Sequence, residues 1–130
     1  VASSVIAVLA QRLVRTICSK CKVPYTPRES ELKEAGITAE MAANAEFAKG
    51  KGCSNCQQSG FRGRLGVYEL MLMTSRIREL SFAGASAQEI RRAAIKDGMN
   101  TLYTDGMEKV CRGITSFSEV YRVAKKTEQD

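Results

Sequence analysis

The sequence has no histidine and no tryptophan among its 130 residues, and only two prolines. Without histidine the chain can form neither a mixed Cys–His metal site nor a Ser-His-Asp triad, and it has no histidine general base. Aromatic residues make up only 6% of the chain, so we expect a core built mainly from Val, Ile, Leu, Met and Ala. These absences exclude several familiar enzyme sites before any motif is considered.

Long apolar runs are also missing. No segment approaches the roughly 18–20 uncharged apolar residues that a membrane-spanning helix needs. The best candidate, residues 1–10, is interrupted by Ser3 and Ser4. No basic segment precedes it and no small-residue cleavage site follows it, so we expect no signal peptide. The chain opens without Met inside this apolar segment, which indicates that it is part of a longer protein.

Charge of neither sign dominates strongly. The formal net charge is 20 − 14 = +6. This balance is compatible with nucleic acid, acidic lipid or an acidic protein surface as a partner, and it selects none of them. The basic residues are spread along the chain, which favours an ordinary solvated surface.

What the sequence does have is two CxxC pairs, Cys18 with Cys21 and Cys53 with Cys56. The two residues between the cysteines of a pair form a tight turn, so that both thiolates can converge on one ion. Two such pairs supply the tetrahedral sulfur set that structural zinc prefers. We therefore predict one zinc ion, and because four protein ligands leave no open position, we expect a structural role for it.

Glycines and basic residues surround these pairs. Gly52, Gly60 and Gly63 flank the second pair and are expected to let backbone N–H groups approach the sulfurs. Four thiolates on one Zn²⁺ leave a net negative charge. The basic residues close enough in sequence to offset it are Lys20, Lys22, Lys51 and Arg62.

Other interpretations of the cysteines remain open at this point. The pairs could form disulfides in an oxidising compartment, act as a redox dithiol, or hold another metal or an iron–sulfur cluster. Nothing in the sequence indicates secretion, and paired CxxC motifs are more typical of zinc. The fifth cysteine, Cys111, lies on the apolar face of a predicted helix and is expected to be a small core residue.

Apolar spacing predicts a helix over residues 3–17, which would end at the first cysteine pair. Its buried stripe would consist of Val5, Ile6, Leu9, Ala10, Leu13, Val14 and Ile17. The other elements expected before residue 74 are helices over 27–35 and 39–45 and strands over 46–51 and 65–73. The helix over 27–35 would begin with Thr26 as N-cap, with Glu29 closing a capping box, and would end at Gly36.

The second half of the chain predicts only helices. They are expected over 75–83, 87–97, 101–112 and 117–125. Ser86 with Glu89 and Ser116 with Glu119 are capping boxes, and Gly84, Gly98 and Gly113 are stops. We therefore predict a fold that is mainly α with a small β element. Its segments are a helix over 1–17, a tetracysteine zinc-binding subdomain over 18–73, a compact helical bundle over 74–125 and a disordered tail over 126–130.

Two segments carry a family resemblance. Residues 10–21 (AQRLVRTICSKC) and 50–70 (GKGCSNCQQSGFRGRLGVYEL) resemble the AQRLVRxLCxxC and GxGCxxCxxxGYxGRxGIYELL segments of the traffic ATPases of type II secretion and type IV pilus assembly. Shorter similarities follow at 90–94, 98–99, 105–106 and 113–116, so the resemblance covers nearly the whole chain. One departure is Ser19-Lys20, where some members have Pro-His or Pro-Arg. These positions are not ligands, so the zinc prediction is unaffected.

The resemblance implies that the chain is the C-terminal part of a hexameric motor. In that family an N-terminal domain and a RecA-like nucleotide-binding core precede a tetracysteine zinc subdomain and a terminal helical bundle. Residues 1–17 would then be a helix at the end of the core. The family motor is cytoplasmic, docks on the inner membrane through platform proteins, and uses ATP hydrolysis to assemble pilins or pseudopilins. Expected partners are therefore the rest of the ATPase chain, neighbouring subunits and those platform proteins.

The motifs of ATP chemistry are missing from this sequence. It has no GxxxxGK[ST] phosphate loop, no acidic Walker B strand end and no histidine-containing box. Nothing here would cradle phosphates, so we expect this chain alone to be inactive, with ATP and magnesium bound only in the full-length parent. Gln11 and Arg12 could lie near the nucleotide or a neighbouring subunit there, but an ordinary exposed pair is the favoured interpretation.

The alternative function is a zinc-ribbon-like nucleic-acid-binding module. The charge of +6 and the basic segment 61–64 favour it. Against it, aromatic and basic residues do not interleave on a strand as stacking platforms require. We therefore expect no nucleic acid partner. The sequence does not separate secretion from pilus assembly.

Overall fold

The computed structural model describes residues 6–125. Helix accounts for 42% and strand for 24% of it, so the prediction of a mainly α fold is wrong. In chain order the elements are β1 (Ala7–Ile17), β2 (Lys22–Pro24), α1 (Glu29–Ala35), α2 (Ala39–Ala43), β3 (Ala48–Gly50), a 3₁₀ turn (Ser54–Cys56), β4 (Phe61–Leu72), α3 (Ser75–Phe82), α4 (Ala87–Lys96), α5 (Leu102–Cys111) and α6 (Phe117–Val123). None of the helices within residues 6–125 is long and apolar enough to cross a membrane. The predicted tail over 126–130 lies outside the described residues.

The largest correction concerns the helix predicted over residues 1–17. Within the described part of that segment, the chain forms the eleven-residue strand β1 instead. The helical stripe would have buried Leu9 and Leu13, but their surfaces are 59% and 42% exposed, while Val14 is fully buried. The segment contains four β-branched residues, which favour strands, and it pairs with β4, whose residues lie 44 to 65 positions further along the chain than their partners. Long-range pairing therefore overrides a local apolar pattern that also fits a helix.

The four strands form two antiparallel ribbons. In the long ribbon β1 pairs with β4, from Ala7 opposite Leu72 to Ile17 opposite Phe61. In the short ribbon β2 pairs with β3. The sequence predicts strands over 46–51 and 65–73, and both exist, but β4 begins four residues earlier, at Phe61.

Helix starts and stops follow local chemistry more closely. The helix α1 ends at Gly36, which adopts the left-handed conformation expected of it. At the start of α1 the prediction is wrong by two residues. The helix begins at Glu29, and it is the Glu31 carboxylate that reaches back to the Arg28 N–H group at 3.1 Å. The predicted capping box of Ser86 and Glu89 is confirmed at α4.

The C-terminal helices, predicted as a compact bundle over 74–125, are α3 to α6. They pack as two pairs, each around its own apolar cluster. Ile77, Ala93 and Ala94 join α3 to α4 with help from Met71 and Met73 beside them. The other cluster, around α5 and α6, consists of Ala35, Ile37, Tyr103, Met107, Val110, Phe117 and Val120. Since Ala35 and Ile37 come from α1 and the residues that follow it, this core joins the two segments predicted as separate subdomains.

Candidate metal centre

Both cysteine pairs lie where the two ribbons meet. The first pair occupies the connection from β1 to β2, and the second occupies the connection from β3 to β4. The ladder of the long ribbon continues past Ile17 and Phe61 with a hydrogen bond from the Cys18 N–H group to the Gly60 carbonyl, at 2.9 Å. We call the turn that carries each cysteine pair a knuckle; this hydrogen bond aligns the start of the first knuckle with the end of the second.

The short ribbon aligns the knuckles from the other side. Lys22 pairs with Gly50. One residue further on, the Lys51 N–H group donates to the Cys21 carbonyl at 3.2 Å. Two separate ladders therefore hold the cysteine pairs against each other, although α1 and α2 lie between them in the sequence.

The four sulfur atoms of Cys18, Cys21, Cys53 and Cys56 lie within 4.8 Å of one another. The Cys53–Cys56 distance is 3.6 Å, and the Cys18–Cys53 and Cys21–Cys56 distances are both 3.8 Å. A tetrahedral ion with Zn–S bonds of about 2.3 Å holds its sulfurs about 3.8 Å apart, whereas a disulfide needs about 2.05 Å. The structure thus brings all four predicted residues together as free thiols, in an arrangement that fits one tetrahedral ion.

Backbone N–H groups point at two of these sulfurs. Cys56 Sγ accepts from Gly60 at 3.2 Å and from Cys53 at 3.4 Å. Cys21 Sγ accepts from Gly52 at 3.3 Å. Such bonds stabilise thiolates, because each donor places a partial positive charge beside the sulfur. The expectation for Gly52 and Gly60 therefore holds.

The crossing of the ribbons requires glycine at two positions. A Cβ atom on Gly60 would lie 2.7 Å from the Gly50 carbonyl oxygen, and one on Gly50 would lie 2.6 Å from the Gly60 Cα. Gly60 also has a φ of 81°, in the left-handed region. The third flanking glycine, Gly63, instead faces Thr16, whose hydroxyl oxygen would lie 3.0 Å from an added Cβ atom.

The surroundings separate the acidities of the thiols. Burial raises the pKa of Cys56, but the N–H groups of Cys53 and Gly60 outweigh burial and bring that pKa down to about 6. Burial also opposes the ionisation of Cys18, yet N–H groups of its own turn hold its pKa below the ordinary value. At Cys21 burial prevails, and the pKa rises to about 11.

One of the four predicted basic neighbours has a defined role in the second knuckle. Arg62 donates to the Asn55 carbonyl and side-chain oxygens at 2.9 and 3.0 Å. After the knuckle the chain turns sharply, with φ values of 55° at Gln57 and 64° at Gln58. Left-handed conformations cost non-glycine residues roughly 1 kcal/mol each, so this turn is held by its surroundings.

Sequence reasoning missed the residues that fix the end of β1. The outer edge of this strand has no β neighbour within the described residues, and α6 with its preceding loop covers it near the cysteines. The Glu119 carboxylate accepts from the Arg15 N–H group at 2.7 Å and from the Arg15 guanidinium at 3.0 and 3.2 Å. The Ile17 N–H group donates to the Ile114 carbonyl at 2.9 Å. Since Cys18 follows directly, these contacts position the first cysteine of the candidate metal centre.

Further side chains complete this edge. Thr115 donates from its hydroxyl to the Arg15 carbonyl at 2.7 Å, and Arg122 donates to the Leu13 carbonyl at 3.1 Å. Arg122 also binds Glu119 at 2.9 Å. Only half of the capping box predicted for Ser116 and Glu119 forms, because Ser116 accepts from the Glu119 N–H group while the carboxylate turns to β1. No local signal distinguishes these two uses of a glutamate.

The remaining predicted residues lie away from the sulfurs. Cys111 is half-buried and packs against the α5–α6 cluster, as expected of a small core residue, and burial raises its pKa. Gln11 and Arg12 are both exposed on β1, where the Arg12 guanidinium donates to the Gln11 carbonyl at 2.9 Å.

Four thiols that converge between two ribbons form a candidate structural metal centre. Comparison with known proteins identifies the family. The profile of the family described as "Type II/IV secretion system protein" matches residues 1–122. The chain therefore belongs to the type II/IV secretion system protein family.

Individual relatives agree with that assignment. The "Type IV pilus assembly ATPase PilB" of Thermus thermophilus is 39% identical over 120 residues, which are 92% of this chain and 14% of that protein. The "Type II secretion system protein E" of Pseudomonas aeruginosa is 40% identical over 124 residues, which are 95% of this chain and 24% of that protein. The chain thus spans between a seventh and a quarter of the length of these two relatives.

Proposed function

We propose that this chain is the non-catalytic, zinc-binding C-terminal module of a hexameric ATPase that powers type II secretion or type IV pilus assembly. The observation that carries the proposal is the set of four sulfurs 3.6–3.8 Å apart between its nearest pairs, in a member of this family. Zinc, when bound, supplies four bonds that tie the two knuckles together. Cys18, Cys21, Cys53 and Cys56 would be its ligands.

ATP and magnesium belong, in this proposal, to the part of the parent protein that precedes the module. The relatives are named as an ATPase of pilus assembly and a secretion protein, and the chain corresponds to at most 24% of the two described above. Its own sequence contains no phosphate loop. The module would therefore serve a cytoplasmic motor that binds platform proteins at the inner membrane, and it would not itself hydrolyse ATP.

An exposed apolar surface supports contact with the remainder of the ATPase chain. One face of the long ribbon presents Leu9, Leu70 and Leu72, with exposed fractions of 59%, 47% and 58%. Leu9 lies opposite Leu70 in the register, so their side chains share this face. Contiguous exposed leucines are costly in water and are typical of a surface that another part of the protein covers.

Two residues on which the nucleic-acid alternative depends are engaged within the chain. The ring of Phe61 lies under the Arg15 guanidinium, 4.4 Å from the ring centroid. Arg62 holds Asn55. These contacts disfavour a stacking platform at 61–64, and a salt-sensitive gel shift with DNA or RNA would revive that alternative.

A segment exchange tests the proposed function. The matching segment of the Pseudomonas aeruginosa secretion protein would be replaced by this chain, and secretion would be measured in a strain that lacks the native protein. We expect secretion to be restored, and to be lost when Cys53→Ser and Cys56→Ser are introduced together. A parallel exchange into the Thermus thermophilus pilus ATPase would separate the two systems. Failure of both exchanges, with stable and metal-loaded chimeras, would contradict the proposal.

A further inference from the structure

The four cysteines of the proposed metal centre differ in their exposure to solvent. Cys18, Cys21 and Cys56 are buried, with exposed fractions of 0%, 9% and 7%. Cys53, in contrast, is only half-buried. Reaction of a cysteine with a dissolved oxidant requires both thiolate character and access, and a metal-bound sulfur already has the first. An oxidant in solution therefore meets Cys53 first.

A second sulfur is positioned to react with an oxidised Cys53. Cys56 Sγ lies 3.6 Å away, at the last residue of the 3₁₀ turn that Cys53 directly precedes. Cys18 Sγ is at 3.8 Å, but its backbone is fixed in the ladder by the bond to Gly60, and the residue is fully buried. A disulfide requires the two sulfurs to approach to about 2.05 Å, which is a small movement within one short turn. Cys56 is therefore the favoured partner.

We propose that the centre is also a modification site, at which a hydroperoxide oxidises Cys53 and Cys56 then closes a disulfide that displaces the metal. The inference rests on the proposed zinc site. It concerns this chain's own sulfurs, and its reactant is a hydroperoxide such as hydrogen peroxide.

The chemistry balances in two steps. The Cys53 thiolate attacks one peroxide oxygen, an S–O bond forms, the O–O bond breaks, and the leaving hydroxide takes up a proton to become water. The Cys56 thiolate then attacks the Cys53 sulfur, an S–S bond forms, and the S–O bond breaks with release of a second water after protonation. Two thiolates, one peroxide and two protons give one disulfide and two waters.

Oxidation removes one of the two knuckles from the metal. Cys18 and Cys21 alone supply two sulfurs, too few for the closed tetrahedral set, so the ion is released. The hydrogen bonds of the two ribbons remain, but the link through the metal ion between the knuckles is lost. Reduction by a dithiol restores both thiols, so the change is reversible.

Labelling of the intact protein tests the inference. The chain would be purified with zinc, its metal content measured, and a substoichiometric amount of iodoacetamide added before peptide mapping by mass spectrometry. A Cys111→Ser background removes the fifth thiol, which lies outside the centre. We expect Cys53 to be labelled in large excess over the three buried ligands. Hydrogen peroxide should then release one zinc ion and form one Cys53–Cys56 disulfide per chain.

A ligand exchange supplies the matched control. In Cys53→His an imidazole nitrogen replaces the exposed sulfur while four metal ligands remain, so zinc should bind and its release by peroxide should slow by at least about tenfold. Cys18→His replaces a buried sulfur, and its zinc should be released as fast as from the unaltered protein. If either variant fails to bind zinc, the labelling pattern of the intact protein still decides the question.

The outcomes separate this inference from the proposed function. A chain purified without metal would remove the zinc site, and the inference with it. A chain with one zinc ion, in which labelling starts at a buried cysteine, peroxide releases no metal, or the disulfide joins Cys18 to Cys53, would overturn the modification site and leave the zinc site standing.

Discussion

Replacement of Glu119 by glutamine should destabilise the fold by about 2 kcal/mol, because this carboxylate covers the edge of β1. Its side chain is 3% exposed and binds the Arg15 backbone together with two guanidinium groups. Burial raises the pKa of Glu119, but the bonds from Arg122 and Arg15 outweigh it and lower the pKa from 4.5 to about 2. A lowering of this size stabilises the folded state by up to roughly 3 kcal/mol at neutral pH. The expected effect is smaller, about 2 kcal/mol, because the two arginine side chains are 51% and 53% exposed and solvent screens their charge.

The stabilisation by Glu119 should decrease as the pH falls. The pKa of Glu119 is lowered on folding, so the stabilisation is present above about pH 4.5 and is lost as the pH falls toward about 2. Urea unfolding, followed by circular dichroism, would be compared at pH 7 and pH 3. The difference between the unaltered protein and Glu119→Gln should shrink by more than half at pH 3.

The matched control is another glutamate on the C-terminal helices. Glu108 is 58% exposed and lies 4.0 Å from Arg112, so Glu108→Gln should change the free energy of unfolding by less than about 0.5 kcal/mol at either pH. If Glu119→Gln behaved like Glu108→Gln, or if its effect did not depend on pH, the account of the covered edge would be refuted.

Three further substitutions follow from the geometry. Gly60→Ala should weaken zinc binding, measured by competition with a chromogenic chelator, because the new methyl group would meet the Gly50 carbonyl oxygen at 2.7 Å. The control is Gly84→Ala, with a similar φ of 77° and nothing within 4 Å, which should cost only about 1 kcal/mol of stability and leave the zinc affinity unchanged. Equal zinc affinities in the two variants would argue against the close approach of Gly50 and Gly60. Gln57→Gly should raise the free energy of unfolding by up to about 1 kcal/mol in urea titrations, since it relieves a φ of 55°, and a loss of stability would speak against strain there. Glu69→Gln should lower the free energy of unfolding by about 1–2 kcal/mol in the same assay. The Glu69 carboxylate accepts from the Leu102 N–H group, the first of α5, at 2.9 Å and from the Arg91 guanidinium of α4 at 2.7 Å. An unchanged stability would show that these two contacts contribute nothing.

The four-cysteine cluster is the part of the molecule that the sequence predicts best. Thiolate chemistry is carried by the cysteines themselves, and the CxxC spacing fixes how two sulfurs in one turn can converge. The two pairs were therefore expected to meet, as they do, with Gly52 and Gly60 beside the sulfurs. What the spacing could not show is how the pairs meet, because that depends on two strand ladders formed by residues distant in the chain.

β1 shows why the fold class was not predictable in the same way. Val14 and Ile17 are buried at positions that suit a helix or a strand, so the apolar pattern alone leaves both possible. The choice is made by pairing with β4, whose residues lie 44 to 65 positions further along the chain than their partners in β1. Glu119 illustrates the same limit at one side chain, since its sequence neighbours indicate a cap while its contacts lie more than a hundred residues away.

The most direct test of the zinc centre is elemental analysis of the purified chain, followed by circular dichroism after removal of the metal with a chelator. The account predicts one zinc ion per chain and unfolding of the cysteine-bearing ribbons when it is removed, because the folding free energy of such sites includes metal binding. A chain without metal, whose four thiols react freely or form disulfides, would contradict the central claim.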